Sequence, residues 1–226
     1  MNLKNKKILI IAPHPDDEVI CSGGLIARAK SEKASVSVLF MAIGKSRQLI
    51  SGETNEKIRI NEIKEVSKFC KYRYRIQFIG DEFLRLDSIP QKKIIDAVED
   101  EIDKIKPDIA VIPNGASFDQ DHRATFTACI TALRPLPKNL RHFVPLVLEC
   151  EEPYVWSLGE FKPDFYMHLN MADLKFKFEA LKLHKTQLRK DPFPRSIENL
   201  TRLAEMRGKE IGDDLAEAYR CLRVVL

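Results

Sequence analysis

The sequence predicts an α/β fold, a doubly wound, mostly parallel sheet with helices on both faces, and three observations carry that prediction. Apolar runs without polar alternation, Lys7-Ile8-Leu9-Ile10-Ile11 and Asp108-Ile109-Ala110-Val111-Ile112, suit parallel strands buried on both faces. Segments with apolar residues at helical spacing stand between such runs. The connections are short, and strands alternating with helices in this way imply crossovers and a parallel sheet.

Lys7 to Ile11 gives the first strand, and Val19 to Lys30 has helical spacing. Ser35 to Ala42 reads as the second strand, followed by a polar loop from Ile43 to Thr54 with Gly44 and Gly52. Asn55 to Phe69 reads as a helix with Ile58, Ile63, Val66 and Phe69 on its apolar side. Ile76 to Ile79 is a third strand that Gly80-Asp81 ends. Pro90 to Lys106 repeats Ile94, Val98, Ile102 and Ile105 at helical spacing, and Pro107 stops it. The strand ending at Ile112 leads through a polar stretch, residues 113–123, into a helix from Ala124 to Leu133. In the last third, Leu146 to Cys150 and Phe165 to Leu169 are strands, Ala172 to Leu188 and Ile197 to Lys209 are helices, and Ala218 to Leu226 is an edge strand.

No change of composition divides the 226 residues, so one domain over 1–226 is expected. A net charge of +4 is too mild to argue for nucleic acid, and no run of about 18 apolar residues calls for a membrane span. The amino terminus enters a strand without a signal-peptide core, which predicts a cytoplasmic protein. Five scattered cysteines, odd in number and without a C-x-x-C pair, fit reduced thiols. Cys21 alone stands near a chemistry-bearing motif. Gly23-Gly24 lacks G-x-G-x-x-G spacing, so a dinucleotide cofactor is not expected.

The chemistry gathers where the two apolar strands end. Ala12-Pro13-His14-Pro15-Asp16-Asp17-Glu18 supplies one imidazole and two carboxylates within four residues, and two prolines stiffen the backbone that presents them. One of the aspartates is free to cap the following helix, but a cap uses one carboxylate and no histidine. Mixed nitrogen and oxygen donors suit Zn²⁺, and a catalytic zinc takes three protein ligands and leaves a position open. Asp121-His122, after the other buried strand, is the natural source of the third ligand: His14, Asp17 and His122 make a His₂Asp set. Ligands in open α/β sheets bind outside the carboxyl ends of the strands, which is where both clusters stand. His184, with Gln187 three residues later, is a weaker candidate.

These residues carry a resemblance. Ala12 to Glu18 is similar to the A-H-P-D-D-E signature of the PIG-L/LmbE-like zinc-dependent N-acetyl deacetylases, with Pro13 set between the alanine and the histidine. Asp119-Gln120-Asp121-His122 resembles the family's second motif, often H-x-D-H. Arg59 with Glu62, Gly80-Asp81 with Leu84, His184-Lys185-Thr186-Gln187 and Ala216-Glu217-Ala218-Tyr219 look like further markers, in family order along almost the whole chain. The resemblance implies a Rossmann-like fold, zinc on His14, Asp17 and His122, Asp16 as general base, and Asp119, Asp121 and Arg59 as further catalytic residues. It also implies a substrate that is an N-acetylated amino sugar or glycoconjugate. Tyr154, Trp156 and Phe161 are candidate platforms for a sugar ring.

The chain departs from the pattern at Asp119, where the family often has histidine, and at Ser117, where it has an earlier aspartate. An ionised Asp119 neither stabilises an oxyanion nor donates a proton, so either it stays protonated, or Arg59 or His184 takes that role, or it contacts substrate. Two other readings stay open at this level. Asp119-Gln120-Asp121 is literally D-x-D, the pattern with which nucleotide-sugar transferases hold Mn²⁺, and a binding module that lost its chemistry would share the fold. A homo-oligomer is also left open.

Overall fold

The computed structural model describes residues 1–48, 52–137, 139–153 and 161–225. Its strands are β1 (Lys7–Ala12), β2 (Ser35–Ile43), β3 (Ser46–Gln48), β4 (Gly52–Thr54), β5 (Arg73–Ile79), β6 (Ile109–Ile112), β7 (Leu146–Cys150), β8 (Phe165–His168) and β9 (Ala216–Val224). The helices are α1 (Asp17–Ser31), α2 (Glu56–Cys70), α3 (Gln91–Ile105), α4 (Gln120–Ala132), α5 (Met171–Leu183) and α6 (Ile197–Lys209). Seven strands form one sheet in the order β5-β2-β1-β6-β7-β9-β8, while β3 and β4 pair as a separate ribbon. The pairs from β5 to β7 are parallel, and β9 runs antiparallel to both β7 and β8.

The apolar runs are continuous because both sheet faces are covered. Ile8 and Ile10 of β1 face a core built with Val19 and Leu25 of α1, Ile63 and Val66 of α2, and Leu181 of α5. Leu9 and Ile11 face the opposite core, with Ile94, Val98 and Ile102 of α3 and Ala128 and Cys129 of α4. The chain winds outward from β1 through β2 to β5, then returns to place β6 beside β1 and proceeds to β7. The seam between β1 and β6 is therefore the switch point of the sheet, and a crevice opens at the carboxyl ends of these strands.

Four expectations need correction. The last strand is not an edge: β9 lies between β7 and β8, because the antiparallel strand β8 pairs on its outer side. The third strand begins at Arg73 rather than Ile76, since at the sheet edge its half-buried side chains need no apolar run. The loop from Ile43 to Thr54 contains the β3-β4 ribbon. The helix expected to reach Leu188 ends at Leu183, and a 3₁₀ turn, Lys185–Gln187, follows His184.

One bend in α1 shapes the site above it. Ser22 leaves helical geometry at φ −141°. There the N–H groups of Gly24 and Leu25 donate instead to the Glu217 carboxylate, at 2.7 and 2.9 Å. Glu217 is also held by Lys177 at 2.8 Å and by the Tyr219 hydroxyl at 3.0 Å. The Ala216-Glu217-Ala218-Tyr219 marker is thus the anchor of this bend, and kinks in helices arise where a group inserts into the hydrogen-bond ladder.

Candidate metal centre and catalytic cleft

A cleft of about 460 Å³ lies over the β1/β6 seam. Its floor and walls include His14, Asp16, Asp17, Arg59, Asp119, His122, Glu152 and Arg195, and apolar Ile20, Phe83, Leu84 and Phe118 form part of its lining. Both sequence clusters therefore meet in one place. Among the described residues Tyr154 and Trp156 do not figure, since they lie outside them, and Phe161 is not in the cleft lining.

Each imidazole has one nitrogen toward a shared carboxylate oxygen and the other facing a second carboxylate. His14 Nδ1 is 3.9 Å and His122 Nε2 is 3.1 Å from Asp17 Oδ2. His14 Nε2 donates to Asp121 Oδ2 at 2.9 Å, and His122 Nδ1 lies 3.3 Å from Glu152 Oε2. A carboxylate that accepts from Nε2–H leaves the neutral ring of His14 with Nδ1 unprotonated, its lone pair free for a metal. A histidine that binds a metal through one nitrogen characteristically gives the other to a carboxylate in this way. Donor atoms of His14, Asp17 and His122 all lie within 4.8 Å of one another, and all three residues are buried. The N/N/O set, its burial and its carboxylate anchors fit a zinc ion.

Electrostatics agree with a cation in that place. Burial disfavours ionised Asp17, yet His122 and then His14 hold its carboxyl well below the usual carboxylate range. Burial likewise disfavours the His122 cation, but Asp17 and Glu152 overcome it and hold the imidazole proton well above the usual histidine range. Without metal, a proton is thus retained among these three groups. Metal binding requires the neutral imidazole and expels that proton.

A second grouping, His14 with Asp119 and Asp121, meets the same distance criterion. Its oxygens are engaged differently. Asp121 is fully buried, Oδ2 accepts from His14 and from Leu84 N at 2.8 Å, and Oδ1 accepts from Leu86 N at 2.9 Å. Asp119 stands at the N-cap of α4, where Oδ1 accepts from Asp121 N at 2.8 Å. The D-x-D pair is therefore engaged in capping a helix and anchoring residues 84–86.

Asp16 departs from its expected role as a cap. It occupies the N-cap position of α1 with φ 109°, yet its side chain makes no capping hydrogen bond. Its carboxylate accepts instead from Arg195 Nη1 at 2.9 Å, with Arg59 Nη2 at 3.7 Å. Asp17 does not cap either: its Oδ2 accepts from His14 N at 2.9 Å. Burial pushes the Asp16 pKa up, against Arg195, and Asp17 adds to the rise. A raised carboxylate is the better proton acceptor at neutral pH.

The remaining sequence candidates fall around this core. Arg59 lines the cleft, donates to the Pro15 carbonyl and to Thr186 Oγ1 at 3.2 Å, and lies 3.4 Å from Glu62. His184 is fully buried, with Nε2 on Glu18 Oε1 at 2.8 Å, and unlike Asp119 it is not part of the cleft lining. Gln187 does line the cleft. Glu18 is a brace: it accepts from Asp16 N, Tyr72 Oη and His184. Sequence reasoning missed Glu152 and Arg195. Glu151-Glu152 at the end of a buried strand was a usable signal for the first, whereas nothing local marks Arg195.

A family model described as PIG-L: GlcNAc-PI de-N-acetylase matches residues 9–133, over half of the chain. The uncharacterized deacetylase YaiS of Escherichia coli strain K12 is 27% identical over 189 residues, 81% of this chain and 92% of YaiS. A 1D-myo-inositol 2-acetamido-2-deoxy-alpha-D-glucopyranoside deacetylase of Rhodococcus erythropolis is 44% identical over 50 residues, 22% of this chain. That match spans only 17% of the Rhodococcus protein. The N,N'-diacetylchitobiose deacetylase of Pyrococcus horikoshii superimposes with a TM-score of 0.75 at 21% identity, covering 96% of this chain and 84% of the other, a likeness of fold.

Proposed function

This chain belongs to the PIG-L family, and from that premise we propose that it is a zinc-dependent hydrolase that removes the acetyl group from an N-acetylated amino sugar or sugar conjugate. The observation that carries the reading is the pair of imidazoles turned toward one Asp17 oxygen, each with a carboxylate at its other nitrogen, and Asp16 beside them in the cleft. YaiS, a deacetylase by name, supports the reaction, and the Rhodococcus relative, named for an acetamido-sugar substrate, supports the substrate class.

His14, Asp17 and His122 would hold the ion, which when bound would supply a Lewis acid for the acetamide carbonyl and would acidify the attacking water. Asp16 takes the water proton as the new C–O bond forms. The C–N bond then breaks, and Asp16 returns the proton to the departing nitrogen, giving acetate and the free amine. Asp119 caps α4 with one oxygen and meets a substrate hydroxyl or the attacking water with its carboxylate. Arg59 holds the Pro15 carbonyl and so fixes the turn between His14 and Asp16.

Metal analysis of protein purified without added metal, together with amine release over a panel of acetylated sugars, tests this. Near-stoichiometric zinc and chelator-sensitive release of an amine and acetate are expected. Protein that carries no zinc after folding and releases no amine from any sugar in the panel overturns the reading, and manganese uptake that requires a nucleotide sugar points to the transferase.

A further inference from the structure

Asp16 is held unusually for a residue at a helix N-terminus. Its backbone has φ 109°, a region that L-residues seldom occupy. That backbone is held on both sides: Asp16 N donates to Glu18 Oε2 at 2.9 Å, the Asp16 carbonyl accepts from Val19 N and Ile20 N at 3.1 and 2.9 Å, and the preceding Pro15 carbonyl accepts from Arg59. None of these sets the direction of the carboxylate, which is 2% exposed and makes no cap. That direction is set by Arg195, whose Nη1 donates to Oδ2 at 2.9 Å across 179 residues of chain.

Arg195 arrives on a tightly tied segment between α5 and α6. Phe193 N donates to Lys190 O at 3.0 Å and Ser196 N to Phe193 O at 2.9 Å. Asn199 Nδ2 reaches Phe193 O at 2.9 Å, and Ser196, fully buried, caps α6. The guanidinium is therefore delivered by a rigid turn, with its side chain only 20% exposed at the cleft wall. Arg59, by contrast, stands 3.7 Å from Oδ1 and is committed to Pro15, Thr186 and Glu62.

We propose that Arg195 is a positioning residue for Asp16: it binds one carboxylate oxygen so that the other faces the cleft, and it prevents the carboxylate from turning to the metal ligands as an additional donor. This rests on the reading of Asp16 as general base. A buried carboxylate adjacent to three ligand residues is strongly drawn to a divalent ion unless a fixed cation holds it, and a charge-assisted hydrogen bond does so with defined direction.

The test uses the full-length zinc-loaded protein and one acetylated amino sugar that it deacetylates, with Arg195→Ala, Arg195→Lys and Asp16→Asn side by side. For Arg195→Ala, kcat falls by about 10- to 100-fold while KM stays within about threefold, the pattern of a group that serves the transition state alone. Zinc content is unchanged, added guanidinium restores part of kcat, and Arg195→Lys is intermediate. In cobalt-substituted Arg195→Ala the visible absorption weakens as coordination rises, a readout independent of turnover. A kcat unchanged in Arg195→Ala while Asp16→Asn collapses overturns the inference alone, and so does a raised KM with kcat intact, which would make Arg195 a substrate contact. An Asp16→Asn variant that keeps its kcat removes the base assignment itself. If Arg195→Ala does not fold, Arg195→Lys decides by the same kcat, KM and cobalt measurements.

Discussion

Glu152 separates a ligand from its support at the level of single side chains. It faces His122 Nδ1 at 3.3 Å and accepts from Ser117 Oγ at 3.0 Å. Glu152→Gln leaves all three ligands in place but loosens the orientation of one, so zinc affinity should fall by about 10- to 100-fold, measured by competition with a chelating dye. His122→Ala should abolish stoichiometric binding in a folded protein, and retention of full zinc content would reassign the ligand. Ser117 belongs with Glu152, since an aspartate at 117 would set two carboxylates against each other. At Asp119 the cap is the deciding observation. Asp119→Asn keeps the oxygen that accepts from Asp121 N, so thermal stability and most of kcat should persist, with the loss in KM. Asp119→Ala should cost about 1 kcal/mol of stability. A kcat loss beyond about a hundredfold in Asp119→Asn with KM unchanged would instead mean that Asp119 works as a protonated acid.

Single elements carry constraints that their own sequence displays unevenly. The bend in α1 depends on Gly24, where an added Cβ would come within 2.5 Å of a Leu169 methyl carbon and 2.9 Å of the Glu217 carboxyl carbon. Gly24→Ala should therefore destabilise by about 1–3 kcal/mol through overpacking, read from denaturant midpoints, and should reduce zinc affinity because the same helix begins with Asp17. The proposed metal ligands were legible because β1 and β6 each deliver theirs within a few positions of an apolar run, so residue type and place coincide. Arg195 was not, since it meets Asp16 only through tertiary packing, and Glu152, although its place after a buried strand was a usable signal, shows its partner His122 only in the fold. The ribbon of β3 and β4 escaped notice because three-residue strands have no periodicity to read. The final strand's inner position escaped notice because a sequence shows strand character but not which strand closes the sheet. Leu84 shows the same limit: its φ of 59° follows from backbone bonds to Asp121 and Gln120, not from its own identity.

Across the whole molecule, the buried acids of the core set an alkaline limit. Burial, and then Glu18, push the Cys70 thiol up to about 12, and burial raises Tyr72, Cys129 and Tyr219 as well. These groups stay protonated in the folded state but ionise on unfolding, from about 8.5 for a thiol and about 10 for a phenol. Their contribution is complete below those values and is lost as pH rises toward about 12, so the urea midpoint should decline over that window. Cys70→Val should flatten the early part of the decline. A midpoint independent of pH up to about 11 would refute it. The architecture itself was readable because two-faced burial turns strands into unbroken apolar runs, as in β1 from Ile8, in β2 from Val38 and throughout β6. The seam between β1 and β6 has one more consequence, for the order of assembly. His14 and Asp121 stand 107 residues apart and meet only when the returning strand docks beside the first. An unfolded chain must close that long loop before it offers a chelating set, so it competes poorly for zinc. By mass action the ion then favours the native state, by about 2.7 kcal/mol at a free concentration one hundred times Kd. Zinc scarcity would thus appear first as a lowered melting temperature, with the metal serving as a latch on the sheet's central joint.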